Sequence, residues 1–276
     1  MNAPGPFPSA DARLCGVIHL AATPGSAGYR SSGDSDPRDL VSAMVDAALR
    51  DARAYVEGGI RSLIVENFHD APFLKVGVGP ATIASLTLAV DRVSQVEGVH
   101  EVGVNVLRND AHAALGVAAA TGAGFIRVNV HTGAMYTDQG LIEGLAAETL
   151  VERERLGLGL RLFADVHVKH ATPIAGERLE DAAKDAVLRG RADALIVSGS
   201  GTGAMPNLVE IARVKEALDG VVPVLVGSGF RADTARELLS AADGAIVGTA
   251  AKFDGDVRRP VDPARVEALV AACHER

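Results

Sequence analysis

The chain alternates between short apolar runs and helical segments eight times, and this alternation limits the possible folds more than any other feature. The apolar runs, predicted as strands, cover residues 14–20, 62–68, 101–107, 125–130, 161–168, 194–198, 224–226 and 245–247. The predicted helices cover residues 37–57 and 80–96, two segments ending at residue 121 and near residue 157, and then residues 179–189, 207–218, 234–240 and 263–274. Alternating strands and helices indicate a parallel sheet. Eight such units in 276 residues predict an α/β protein with a single-domain (β/α)8 barrel, a TIM barrel.

The barrel is predicted over residues 14–276, and residues 1–13 are predicted to form a flexible N-terminal arm. An open, doubly wound sheet is the alternative, but no glycine-rich dinucleotide fingerprint follows the first strand. The loops after the first, second, fourth and fifth strands are long, which places the functional face at the carboxyl ends of the strands. The loop at residues 21–36 is long enough to serve as a lid.

Composition and charge exclude several classes of protein. Only 4% of the residues are aromatic, so the core must be built from Val, Leu, Ile and Ala, as is typical of buried parallel strands. The net charge of −8, with scattered Lys and Arg, argues against nucleic acid as a partner. The two cysteines, Cys15 and Cys273, indicate a reducing compartment without structural disulfides. Neither a signal peptide nor a transmembrane run is recognisable, so a cytoplasmic location is predicted.

Small residues follow the last two predicted strands and indicate a phosphate-binding cup. Without bulky side chains, an anion can approach main-chain N–H groups, and a helix N-terminus adds partial positive charge. The loops after strands 7 and 8 commonly bind phosphate in barrels of this type. The alternative is that these glycines only form tight turns into helices. The candidate phosphate-binding residues, including those after the sixth strand, are Gly199, Ser200, Gly201, Gly227, Ser228, Gly229, Gly248, Thr249 and Ala250.

Ionisable and polar side chains occupy one face of several predicted strands. Because side chains alternate along a strand, one parity faces the helices and the other faces the barrel interior. The predicted inward residues are Asp165, His167 and Lys169 on the fifth strand, Arg127, Asn129 and His131 on the fourth, and Asn105, Glu66, Asn67, His19, Ser198 and Ser200 on the others. The outward set on the fourth and fifth strands is Ile126, Val128, Val130, Leu162, Ala164, Val166 and Val168.

A structural ion-pair network, such as Arg127 with Glu66 or Asp165, is one interpretation of this polar face. A functional site is favoured, because perturbed ionisable groups cluster where chemistry is done. Asp165 and His167 are candidates for acid and base, and Lys169 is a candidate either for neutralising an oxyanion or for forming a Schiff base. The candidate catalytic residues are Asp165, His167, Lys169, Glu66, Arg127, Asn129 and Asn105.

A divalent metal held by Asp165, His167, His19 and Glu66 is an alternative use of the same residues, although no tight ligand spacing supports it. No other cofactor is evident from the sequence.

These segments also carry a resemblance to a known family. They include Gly16-Val17-Ile18-His19-Leu20, Val65-Glu66-Asn67-Phe68, Asn105 with its neighbours at 103–110, residues 125–130, 132–134, 137–140 and 164–170, Val226-Gly227-Ser228-Gly229, and Asp262-Pro263. Over residues 16–270 the chain resembles the BtpA/SgcQ family. The resemblance implies a barrel of the ribulose-phosphate-binding type, but it implies no particular reaction for Asp165 or Lys169.

The predicted function is binding of a small phosphorylated ligand, such as a sugar phosphate or a nucleotide-like compound. The accompanying reaction is predicted to be proton transfer by an isomerase or lyase, including an aldol-type lyase. One alternative, which the family name implies, is a non-enzymatic assembly or stability factor for photosystem I. Another is a ligand-sensing barrel without turnover. The predicted partner is therefore a small phosphorylated molecule, and a homo-oligomer is possible.

Overall fold

A computed structural model describes residue 7 and residues 13–29, 36–75, 77–174, 176–199, 201 and 205–274. Its central feature is a closed barrel of eight parallel strands, which confirms the predicted fold class. In chain order these strands are β1 (Leu14–His19), β2 (Ser62–Glu66), β3 (Glu101–Asn105), β4 (Phe125–Val128), β7 (Arg161–Val166), β9 (Ala194–Val197), β10 (Val224–Val226) and β11 (Gly244–Val247). The barrel closes where β1 pairs with β11.

Helices surround the barrel in the alternating order that the sequence predicts. They are α1 (Pro37–Glu57), α2 (Pro80–Ser94), α3 (Ala111–Thr121), α4 (Ala146–Arg155), α5 (Leu179–Lys184), α6 (Leu208–Leu218), α7 (Ala235–Ala241) and α8 (Pro263–His274). Asp36 caps α1 by accepting a hydrogen bond from the Arg38 N–H, and Pro37 occupies the first turn. No helix in the described ranges combines the length and apolar character needed to cross a lipid bilayer.

Two apolar layers lie on opposite sides of the barrel wall. The larger one packs the outward side chains of the strands, such as Ile126 and Leu162, against the helices. The smaller one fills the amino-terminal end of the lumen, where the Phe125 and Phe163 rings stack with centroids 4.5 Å apart. The floor of the lumen is therefore apolar, which leaves only the carboxyl end of the barrel available for a polar site.

Phe7 also belongs to this apolar floor. It is buried, and its ring centroid lies 6.1 Å from that of Phe163. At the start of β1, the Arg13 guanidinium donates hydrogen bonds to the main-chain oxygens of Leu239, Ala242 and Asp243. The rest of the predicted arm lies outside the described residues, as do residues 30–35 of the predicted lid.

A small antiparallel sheet beside the barrel is absent from the sequence prediction, which treats residues 131–140 as a loop. It consists of β5 (Ala134–Thr137), β6 (Gly140–Glu143) and β8 (Ala171–Pro173), in the order β6-β5-β8. Val130 and Val168 pack beneath it with Met135 and Ile142. The prediction that Val130 and Val168 face the helices is therefore wrong, because the barrel strands β4 and β7 end before these residues.

Several barrel strands end earlier than predicted because side chains beyond them bind loops. The buried Asn67 amide exchanges hydrogen bonds with the main chain of Leu107, through the Leu107 N–H at 2.7 Å and the Leu107 carbonyl at 3.3 Å. Asn67 also donates to Asp70, which accepts hydrogen bonds from the N–H and hydroxyl of Thr23. Asn67 thus ties together the loops after β1, β2 and β3, and its predicted place in the lumen is wrong.

Candidate functional site

Four polar side chains form a continuous row across four adjacent strands. In the strand register, His19 lies beside Glu66, Glu66 beside Asn105, and Asn105 beside Arg127. Glu66, Asn105 and Arg127 are buried. Two positions earlier on the same strands, Val17, Ile64 and Phe125 belong to the apolar floor, so this row lies above the floor on the carboxyl-terminal side.

Arg127 and Asp165 form the centre of a hydrogen-bonded network in this layer. The guanidinium donates two hydrogen bonds to Asp165, from Nε to Oδ2 and from Nη2 to Oδ1, each at 2.9 Å. Asn129 donates to Asp165 Oδ2 at 2.8 Å and accepts from the Asn105 amide at 3.1 Å. A second carboxylate, that of Glu66, lies 3.9 Å from Arg127 Nη1. This network holds Arg127 in a fixed orientation, and it contains both of the ion pairs that the sequence suggests.

A cavity of about 200 Å³ opens above this layer. Its inner end is lined by His19, Glu66, Arg127 and Lys169. Its other end is lined by the loops after β10 and β11, including Gly227, Ser228, Gly229, Gly248, Thr249 and Ala250. The structure therefore brings most of the predicted phosphate residues and the predicted ionisable residues into one space.

The two glycine-containing loops line this cavity with residues whose main-chain N–H groups lack an internal partner. Thr249 and Ala250 begin the short turn Thr249–Ala251, and Gly229 has a left-handed conformation with φ of 72°. Within the described part of the chain, no acceptor is assigned to the N–H groups of Gly229, Thr249 and Ala250. Such exposed donors are typical of anion-binding loops.

Glycine is required at two further positions of the cup for packing. A Cβ at Gly227 would lie 2.3 Å from Ile196 Cγ2 and 2.6 Å from Ser198 Oγ. A Cβ at Gly248 would lie 2.8 Å from His19 Cε1. Both loops therefore approach the lumen side chains closely, so the interpretation as tight turns alone does not account for these two glycines.

Two arginines at the rim of the cup were not among the residues chosen from sequence. Arg231 follows the glycine loop after β10, and Arg265 lies in the first turn of α8, where its Nε donates to the Ala250 carbonyl at 2.9 Å. Arg231 also pairs with Asp233 at 3.0 Å. The position of Arg231 directly after the loop is a usable sequence signal, whereas nothing in the sequence connects Arg265 to this loop.

Burial perturbs the ionisable groups at the inner end of the cavity. It raises the pKa of the Glu66 carboxyl above its ordinary value, against the attraction of Arg127 and Lys169. It lowers the pKa of the Lys169 ammonium, and the neighbouring Arg127 lowers it further. Burial also lowers the pKa of His19. Burial thus makes the Glu66 carboxyl easier to protonate and the Lys169 ammonium easier to deprotonate than these groups are in water, the direction expected of groups that exchange protons.

The structure separates His167 from the other predicted catalytic residues. β7 ends at Val166, and His167 has a φ of 49°, so strand alternation no longer applies. The His167 imidazole is not part of the cavity lining and lies 3.2 Å from the Glu177 carboxylate. Asp165 and His167 therefore do not form a pair, and Lys169 reaches the cavity through the loop conformation after β7.

Other predicted residues lie beside the cavity or away from it. The prediction that His131 faces the lumen is wrong, because its Nε2 is 2.7 Å from the Gly190 carbonyl outside the barrel wall. Asn105 donates hydrogen bonds to Asn129 and to the main-chain oxygen of Arg127. Asn129 in turn donates to Asp165, the partner of the Arg127 guanidinium. These three residues therefore hold Arg127 in place. The Ser198 hydroxyl is buried beside Gly227.

Among the residues that the structure describes, the loop after β9 contacts the cup where Ser228 Oγ donates to the Gly201 carbonyl at 3.2 Å. Gly199 and Gly201 are not part of the cavity lining. The prediction for Ser200 lies outside the described residues.

The described residues contain no group of three His, Cys, Asp or Glu side chains close enough to hold a metal ion. Of the four residues suggested as metal ligands, Asp165 is occupied by Arg127 and Asn129, and His167 by Glu177. His19 and Glu66 remain adjacent in the strand register.

The fold and this cavity define a (β/α)8 barrel whose site lies at the carboxyl ends of the strands. The chain belongs to the BtpA family, whose model matches residues 10–275, and this confirms the predicted resemblance. It is 44% identical over 262 residues to the photosystem I biogenesis protein BtpA of Synechocystis sp., covering 95% of this chain and 88% of that protein. It is 45% identical to an uncharacterized protein of Thermococcus kodakarensis, covering 95% of each.

Solved structures of low sequence identity share the fold. Thiamine phosphate pyrophosphorylase from Pyrococcus furiosus has a TM-score of 0.58 at 16% identity, covering 95% of this chain and 96% of that chain. N-(5'-phosphoribosyl)anthranilate isomerase from Pyrococcus furiosus has a TM-score of 0.52 at 14% identity, covering 94% of this chain and 97% of that chain. At these identities the likeness supports the barrel architecture alone.

Proposed function

We propose that this protein is an enzyme that binds a small phosphorylated molecule and moves a proton within it, as an isomerase or a lyase. The observation that carries the proposal is the single cavity with two chemically different ends. One end offers main-chain N–H groups and the Arg231 and Arg265 side chains, and the other offers Glu66 and Lys169. A phosphate bound at the first end would fix the position of the reacting carbons at the second.

In the proposed reaction, Glu66 is the acid–base group. Its carboxylate removes a proton from a hydroxyl-bearing carbon next to a carbonyl group. The C–H electron pair forms a carbon–carbon double bond, and the carbonyl π pair moves to the carbonyl oxygen. The Lys169 ammonium donates a hydrogen bond to that oxygen and stabilises the negative charge. Glu66 then returns the proton to the former carbonyl carbon while the hydroxyl proton passes to the oxyanion, so that the carbonyl group moves by one carbon and the isomerisation is complete. The raised pKa of Glu66 is a shift in the direction that this role requires, because the ordinary pKa of a carboxyl lies well below the working pH of a general acid–base.

Arg127 is proposed as a positioning residue with a fixed charge. Its doubly hydrogen-bonded contact with Asp165 holds its orientation, and Nη1 lies 3.9 Å from Glu66. Because arginine stays protonated in proteins, it supplies positive charge without exchanging protons. Asp165 serves this arrangement through Arg127.

Lys169 has a second possible role as the nucleophile of a Schiff base, for which a lowered pKa is a requirement. Lys169→Arg separates the two roles, because arginine keeps the charge but forms no Schiff base. We favour the electrostatic role. Activity in the arginine variant, without borohydride trapping of a substrate on the wild-type protein, is the expected result. Borohydride trapping at Lys169 with an inactive arginine variant would establish the covalent role instead.

The phosphate cup is tested by calorimetric titration with inorganic phosphate and glycerol 3-phosphate. Arg231→Gln and Arg265→Gln should each weaken binding by about tenfold, because hydrogen bonds to charged groups contribute about 1.5–3 kcal/mol. Arg258→Gln is the matched control, since Arg258 is an exposed arginine paired with Asp256 outside the cavity. Equal affinities in the wild type and both cup variants would contradict the assignment.

A second candidate function is an assembly factor, which the name of the Synechocystis relative suggests. A protein with that role alone has no need of the buried Glu66 and Arg127 and the half-buried Lys169 beside an anion-binding cup. Retention of assembly activity in a Glu66→Gln variant that has lost ligand turnover would favour this alternative.

A further inference from the structure

Cations and carboxylates are intermixed around the inner layer of the barrel. Three cations, Arg108, Arg127 and Lys169, lie near the carboxylates of Glu66 and Asp165. Arg127 forms an ion pair with Asp165, and Glu66 lies 3.9 Å from its Nη1. The nearest carboxylates of the inner layer are therefore held by Arg127.

Arg108, which is buried, and Lys169, which is half-buried, differ from the buried cations Arg127 and Lys252. Arg127 has Asp165 at 2.9 Å, and Lys252 has Asp51 at 2.5 Å. Among the described residues, by contrast, no carboxylate lies within 4.0 Å of either the Arg108 guanidinium or the Lys169 ammonium. Burying a charge without a partner is costly, so such a charge is expected to serve a ligand.

A hydrogen bond also connects the Arg108 side chain to the main chain of Lys169. Arg108 is 6% exposed, and its Nη2 donates a hydrogen bond to the Lys169 carbonyl at 2.8 Å. Lys169 lines the cavity, whereas Arg108 lies behind it and is not part of the lining. Asp138 attracts Arg108 from the hairpin between β5 and β6, but no ion pair forms between them. Arg108 therefore positions the Lys169 loop and adds positive charge behind it.

We propose that Lys169, supported by Arg108, forms a second anion-binding subsite, so that the ligand carries a second anionic group in addition to the phosphate held in the cup. This inference rests on the proposed function and narrows its substrate class to phosphorylated carboxylates or bisphosphates. An ammonium has three donors, so Lys169 can bind this anion and still donate to the reacting carbonyl oxygen.

Matched ligands test the subsite by titration calorimetry at low salt. Glycerol 3-phosphate and 3-phosphoglycerate have the same three-carbon skeleton, but only the second carries a carboxylate. The wild-type protein should bind 3-phosphoglycerate about tenfold more tightly, as expected for one charge-assisted hydrogen bond. Propane-1,3-diol bisphosphate is the second test ligand. Whichever of the two ligands with a second anionic group binds more tightly identifies the substrate class, phosphorylated carboxylate or bisphosphate. Equal affinity of all three ligands would overturn the proposal.

Variants test whether Lys169 is responsible for the preference for the carboxylate ligand. Lys169→Met should reduce the affinity ratio of the carboxylate ligand to the alcohol to less than about twofold. Lys75→Met, which removes the same charge from an exposed residue outside this cavity, should leave the ratio unchanged. Arg108→Met should lower the ratio, and Arg108→Lys should restore part of it. A ratio that survives Lys169→Met would overturn the assignment.

The cup and the subsite can fail separately. If glycerol 3-phosphate binds as tightly as 3-phosphoglycerate, the subsite fails and the cup stands. If Arg231→Gln and Arg265→Gln leave the affinity for 3-phosphoglycerate unchanged while Lys169→Met lowers it about tenfold, the cup fails and the subsite stands.

Discussion

Arg127 on β4 and Asp165 on β7 form a buried, doubly hydrogen-bonded ion pair at 2.9 Å, with side chains 3% and 0% exposed. The two strands are neighbours in the barrel, so the pair connects adjacent parts of the wall beneath the cavity. Asp165 has a third hydrogen bond from Asn129, and it is not part of the cavity lining. The residue that looks most catalytic in the sequence thus has a supporting role in the structure.

Asp165→Asn should therefore destabilise the protein strongly. The variant keeps the size of the side chain but leaves Arg127 as a buried charge without its main partner, and breaking such pairs typically costs about 3–5 kcal/mol. The free energy of unfolding, measured with denaturant, checks this value. A loss below about 1 kcal/mol, the size typical of a surface pair, would mean that the pair does not hold the barrel wall.

His167→Asn serves as the control for Asp165→Asn on the same segment. The His167 and Glu177 side chains are 21% and 29% exposed, and pairs this accessible contribute about 0–1 kcal/mol. The variant should unfold almost as the wild type does. If both variants are destabilised to the same degree, His167 belongs to the framework with Asp165.

Glu66→Gln should change how stability depends on pH. Because the folded pKa of Glu66 is raised above its ordinary value of 4.5, the folded state binds more protons than the unfolded state between these two values. Its contribution is therefore fully present below pH 4.5 and is lost as pH rises through the folded pKa. Relative to the wild type, Glu66→Gln should become more stable as pH rises from 4 to 7.

Denaturant unfolding of both proteins across this pH range provides the measurement. Parallel pH profiles for the wild type and Glu66→Gln would contradict the raised pKa, and with it the acid–base role proposed for this carboxyl.

Gly248→Ala should disturb the junction between the cup and the inner layer. The added Cβ would lie 2.8 Å from His19 Cε1, and the His19 ring has little room because it packs on Phe68 with centroids 4.5 Å apart. Overpacking of this kind costs about 1–3 kcal/mol. Thermal and denaturant unfolding should show the loss, and the double variant with His19→Ala should recover most of it.

Gly116→Ala is the matched control for Gly248→Ala. Gly116 lies on the exposed side of α3, and a Cβ there meets nothing within 4 Å. Alanine should be neutral or stabilising by about 0.5–1 kcal/mol, as in other exposed helix positions. Equal effects at both glycines would mean that His19 is not held against the loop after β11.

Much of the site could be predicted from residues that lie within regular strands. The inward positions of Glu66, Asn105, Arg127 and Asp165 follow from alternation, because each lies in a strand whose side chains must face either the helices or the lumen. Beyond the ends of the strands, alternation no longer predicts the direction in which a side chain points. His131 and His167 were for this reason assigned to the lumen, whereas Lys169 reaches the cavity through a loop.

The sequence by itself determined the barrel, since eight apolar runs separated by helical segments bury their surface in few other ways. It also marked Gly227 and Gly248, where the structure leaves no room for a larger side chain. Only the tertiary structure decided the partners: Asp165 for Arg127, Asp51 for Lys252 across 201 positions of the chain, and Arg265 for the loop after β11. The physical reason is that strand direction and burial are local properties of a segment, whereas contacts between charged side chains depend on how distant segments pack together.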